Sequence, residues 1–145
     1  MNIQKFLLSA IGAGVVMSLL GGLWHMALMG DLYASDLNRA EPHMMLIIAS
    51  YLILALLMAY IYPKGIEGTN KIANGIKFGV LVGLIWILPH SLILHATMEG
   101  GALKVLFIDA GWHMFEQACG GVVIALIYGI PQATAPTASS DASSE

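Results

Sequence analysis

Residues 44–62 read MMLIIASYLILALLMAYIY, a run without a single Asp, Glu, Lys or Arg. A helix needs about 20 apolar residues, at ~1.5 Å of rise each, to cross the hydrocarbon core of a bilayer. This run meets that length, and three others match it: residues 7–29, 76–96 and 105–130. In lipid the backbone must satisfy its own hydrogen bonds, which leaves only helices and closed barrels as spanning structures. Barrel strands are about ten residues long and alternate in polarity; these runs are longer and do not alternate. The expected fold is therefore an all-α membrane protein, a four-transmembrane-helix bundle formed by residues 1–130. Composition agrees, with 58% hydrophobic and only 10% charged residues, where a soluble domain carries about a quarter charged.

The connections are short. Residues 30–43 are polar with scattered Leu and Tyr, which suits a short interfacial helix, and Pro63 stops the second run. Residues 97–104 read as a tight Gly-rich turn. Residues 131–145, PQATAPTASSDASSE, lack apolar periodicity and are expected to be disordered. The first run follows Lys5 as a signal peptide would, but it exceeds the usual apolar length and no small-x-small site follows, so it is expected to be retained. Lys5, Lys64, Lys71 and Lys77 fall on one side of the bundle, Arg39 and Lys104 on the other. The positive-inside rule then puts both termini in the cytoplasm. No basic patch exists that would suit nucleic acid.

Against this background the last run is unusual, because IDAGWHMFEQACG places Asp109, His113, Glu116 and Gln117 within an apolar helix. Residues three, four and seven apart share a helical face. Asp109, His113, Glu116 and Gly120 thus form one stripe, and Gly14, Ser18, Gly21 and His25 form another on the first helix. Gly75, Gly79, Gly83, Trp86 and His90 form a third, with the small residues that let membrane helices approach closely. That Gly75/Gly79/Gly83 face can pair within the chain or with a second copy. The stripes predict that His25, His90 and His113 converge, with His90 and His113 both about 10 Å below the outer boundary. Gln117 is placed at the edge of this site. His43 precedes its helix and His95 turns away, so neither joins it. The second helix reads as the most lipid-facing. Trp24, Trp86 and Trp112 read as interface or packing residues.

A carboxylate at the centre of a span costs about 2.5–3.5 kcal/mol on the insertion scale, so buried acids call for partners. Imidazole with carboxylate suits a transition metal ion such as Zn, Cu or Fe. The candidate ligands are His25, His90, His113 and Glu116, with Asp109 as a further ligand or as the group that orients His113. Haem held by two of the histidines is a variant. Two other readings stand beside metal binding. One is a structural or accessory membrane subunit with a satisfied polar network. The other is proton-coupled transport, although Val122 to Ile127 contain no ionisable group to complete a path. Nucleophilic catalysis fits poorly, since Ser91 and His90 are adjacent and face different ways. Cys119, the single cysteine, reads as a packing residue.

The segments GGLWHMALMGDLY and FIDAGWHMFEQACGGVVIALIYG resemble a family of small bacterial membrane proteins catalogued as a domain of unknown function, family 1761. That resemblance implies a four-helix bundle of the bacterial inner membrane. It rests on a Gly-x-x-Trp-aromatic signature closing the first helix and an Asp-Ala-Gly-aromatic opening the last. Trp24 and Trp112 are each followed here by His, where the family often has Tyr. The resemblance supplies no activity.

Overall fold

The computed structural model describes residues 2–33, 41–65, 69–97 and 103–129. The tail at 131–145, most of the turn at 97–104 and part of the 30–43 connection lie outside the described residues. Four long helices make up the rest, and no strand occurs among the described residues. α1 is Ile3–Gly22, continued by a π-helical segment Leu23–Leu28; α2 is Met44–Ile61; α3 is Lys71–Thr97; α4 is Leu103–Tyr128. The side chain of Asn2 accepts from the Lys5 amide at 3.1 Å, which caps α1 and starts it four residues before its apolar run. A short 3-10 turn, Gly30–Tyr33, follows the π segment.

α1, α2 and α3 are long and apolar enough to cross a membrane, and the chain is a membrane protein. α4 is as long as its neighbours but carries a polar stripe through its middle. It still runs antiparallel beside α3 over most of that helix. A Cβ on Gly75 would meet the Gly121 carbonyl oxygen at 2.7 Å, and one on Gly83 the His113 carbonyl oxygen at 2.7 Å. At Gly79, Gln117 and Ala118 backbone atoms come closer still. The Gly75/Gly79/Gly83 face is thus taken up within the chain, by α4.

α1 occupies the middle of the arrangement, with α2 on one side and α4 on the other. Its buried residues are small apart from Met17: Ser9, Ala10, Ala13, Gly14 and Gly21. They pack on Ala55, Met58 and Ala59 of α2 and on Ile124 and Ala125 of α4. α2 has few contacts with α4, so the helices follow the order α2, α1, α4, α3. At the far end Tyr62 closes the gap, lying edge-on to Phe78 at 5.3 Å and 6.3 Å from Tyr128. Nearby, Lys5 Nζ donates to the Tyr128 carbonyl at 3.4 Å, a cation on the negative end of α4. The start of α1 and the end of α4 therefore share one end of the bundle. The opposite end holds the histidines, and there α1 and α2 part.

Candidate functional site

The polar stripe of α4 turns toward α1. His25 and His113 face each other with ring centroids 6.1 Å apart, and beside them Trp24 and Trp112 stack at 4.2 Å, nearly parallel at 4°. Two Trp-His pairs on antiparallel helices thus meet side by side. On α1 the pair lies in the π-helical segment, where the Met29 amide donates to the Trp24 carbonyl five residues back at 2.8 Å. Such widened turns cost hydrogen-bond geometry and occur often at functional sites.

His113 lies between the two acids of its own helix. Its Nε2 is 3.8 Å from Asp109 Oδ2 and its Nδ1 is 3.3 Å from Glu116 Oε2. The His113 approach to Glu116 is not aligned as a hydrogen bond, and neither carboxylate oxygen has an aligned partner among the described residues, although the Tyr51 hydroxyl lies within hydrogen-bonding reach of the carboxylate. Glu116 is completely buried and stands at the middle of α4, about 20 Å from either end. The Tyr51 hydroxyl reaches into this region from α2, close over the Cα of Gly21, where a Cβ would also stand 3.2 Å from Glu116 Oε1. Gly21 is required there because any side chain would occupy the position of the tyrosine oxygen.

His25, Asp109 and His113 each offer a ligand atom within 4.8 Å of the others, a group able to hold a metal ion. Around one zinc-sized ion, ligand atoms at bonds of ~2.1 Å stand about 3.4 Å apart. The group needs side-chain rotation of about an ångström to close, with no movement of helices. All three are half-buried, as a site reachable from one end of a bundle requires.

The structure brings together four of the five residues that the stripes single out: His25, Asp109, His113 and Glu116. His90 does not join them; it is exposed on α3. The α3 contact face follows Gly75, Gly79, Gly83 and Ile87, all buried. Each four-residue step advances about 40° beyond a full turn, so the face has rotated past His90 at this level. Depth differs as well. His113 is level with Gly83, which leaves His90 seven residues, or about 10 Å, farther out. His43 and His95 are exposed.

Two residues matter more than their sequence placement indicates. Gln117, expected at the edge, is 1% exposed and neither of its amide atoms has a hydrogen-bond partner among the described residues. Tyr51 brings a hydroxyl into the site from a helix that reads as lipid-facing. Both border a cavity of about 560 Å³ between α1 and α2, which also reaches His25 and His113. Cys119 is a half-buried free thiol.

The family described as protein of unknown function (DUF1761) matches residues 8–127, from the first turns of α1 to the end of α4. The chain belongs to the DUF1761 family. No curated protein and no solved structure matches it. For this DUF1761 protein the chemistry must therefore be argued from the side chains themselves.

Proposed function

We propose that this protein binds one transition metal ion between α1 and α4, with His25, Asp109 and His113 as ligands and Glu116 holding His113 in place. The convergence of three ligand atoms within 4.8 Å from two helices carries the reading. Its polarity supports it further. Asp109 stands on the Nε2 side of His113 and Glu116 on the Nδ1 side. If Nε2 faces the ion, an Nδ1–H directed at Glu116 makes the carboxylate–histidine–metal arrangement that orients ligands in metal sites. The buried Glu116 carboxylate would then serve His113 Nδ1–H on one side, with the Tyr51 hydroxyl beside it on the other. Two imidazoles and a carboxylate suit Zn, Cu or Fe.

A bare ion fits better than haem. A porphyrin held by His25 and His113 would have to pass between them, and the adjoining Trp24 and Trp112 rings are stacked at 4.2 Å. Four basic residues on the end of the bundle shared by both termini support a cytoplasmic location for that end. The metal site would then open to the outer side of a bacterial inner membrane, suited to sensing or delivering an ion, or to supporting a partner subunit.

Equilibrium dialysis of the full-length protein in detergent against Zn tests this reading. Near one equivalent per chain is expected, abolished in His113→Ala, with Glu116→Gln weakening affinity about 10- to 100-fold. Absence of saturable binding in the wild type would remove the proposal.

A further inference from the structure

The cavity of about 560 Å³ lies within the range of small-molecule sites. It has the other property of such sites, mostly apolar walls with a few convergent polar groups. Its α2 wall includes Met44, Ile47 and Ile48, all exposed on the outside of the bundle, so the cavity communicates with the lipid phase. At the inner end stand His25, Tyr51, His113 and Gln117.

No Lys, Arg, Asp or Glu lines the cavity. Apart from the His25 and His113 imidazoles, which the metal site uses, an anionic head such as a fatty acid finds no cationic side chain there, and a cationic amphiphile finds no carboxylate on the wall. The occupant is therefore neutral. Gln117 narrows its chemistry: a buried amide on the cavity wall with both nitrogen and oxygen unpartnered among the described residues suits a ligand that both accepts and donates. Leaving such groups unmatched is costly in an apolar site. Trp86 and Tyr51 add aromatic walls, suited to a flat ring more than to an alkyl chain alone.

We propose that this cavity binds the ring of a membrane-dissolved quinone or quinol, its oxygens hydrogen-bonded by Gln117 and its tail leaving along Met44, Ile47 and Ile48 into lipid. A quinone oxygen accepts from the amide NH₂, and a quinol hydroxyl donates to the amide oxygen, so one glutamine serves both forms. The proposal is independent of the metal ion, although His25 and His113 border both.

Gly22 provides a clean way to close the cavity. It lines the space, and a Cβ there meets nothing within 4 Å. Gly22→Leu should fill the volume while α1 stays folded, and helical Leu is favoured over Gly. Gln117→Leu removes the amide. If the amide serves a ligand, this variant unfolds at a temperature equal to or above wild type without ligand, whereas a purely structural glutamine would give a lower one.

The test titrates decylbenzoquinone into nanodiscs holding the full-length protein and follows tryptophan fluorescence. Zn content is measured on the same preparations. Saturable quenching is expected in the wild type, with Kd raised about tenfold in Gln117→Leu and saturation lost in Gly22→Leu at unchanged Zn content. Palmitate and decyltrimethylammonium should not compete. Quenching that is linear in the wild type, unchanged in both variants, or displaced equally by either charged amphiphile would overturn the proposal. Loss of Zn binding with intact quinone saturation would instead overturn the metal reading alone.

Discussion

The two faces of α4 are built on opposite terms. Toward α3, Gly75, Gly79, Gly83 and Gly121 bring backbone against backbone, and no volume remains for a single methyl group. Toward α1, beyond the small residues at its inner half, the same helix presents Asp109, His113, Glu116 and Gln117 to a partner that has loosened into a π-helical segment. Close packing between glycines gives van der Waals contact without depending on side-chain rotamers. That seam can hold α4 rigid while its other face carries polar groups that insert poorly alone. One helix thereby serves as both framework and site, and the framework is what fixes the level of His113 against α1.

The α3–α4 glycine seam should be the more sensitive of the two faces to substitution. Gly79→Ala would drive a Cβ into the Gln117 and Ala118 backbone, which cannot swing aside as a side chain can. Destabilisation of about 3 kcal/mol or more is expected, read as a lower midpoint in reversible unfolding from mixed micelles. A midpoint equal to wild type would show that the seam is looser than described. The α1 side should respond less, and unevenly. At Gly21 the added methyl meets the Tyr51 hydroxyl, the free end of a side chain, so Gly21→Ala should cost about 1–2 kcal/mol. One residue on, Gly22→Ala enters open space and should gain up to about 1 kcal/mol from helix propensity. Equal losses at Gly21 and Gly22 in the same unfolding assay would contradict the asymmetry between them.

The framework was more legible in the sequence than the site. Four apolar runs announce the four helices, since the bilayer sets their length and little else can satisfy the backbone there. The Gly75/Gly79/Gly83 spacing reveals a close contact because small residues repeated at that interval let two helix backbones approach. Within α4 the stripe from Asp109 to Glu116 also follows from helical periodicity alone. What lies between helices does not. Placing His90 beside His113 required the relative heights of α3 and α4, which follow from how Gly79 seats on Gln117 and Ala118, and the drift of the four-residue row. Gln117 looked peripheral because periodicity describes one helix, and its burial comes from the neighbours around it. Tyr51 was hidden for a similar reason. A hydroxyl in an apolar run gives no sign of its partner, and the partner sites are a glycine on α1 and a carboxylate on α4. The one available signal was Gly21, a glycine in a helix interior beside a stripe leading to His25.

In the proposed site two histidines and a carboxylate from α1 and α4 enclose one ion. X-ray absorption at the zinc edge, on full-length protein loaded with one equivalent in detergent, tests it most directly. A first shell of nitrogen and oxygen at about 2.0–2.2 Å is expected, with outer-shell scattering from two imidazoles that falls to one in His25→Ala. A shell containing sulfur at about 2.3 Å, from Cys119, or a spectrum unchanged by His25→Ala, would contradict it.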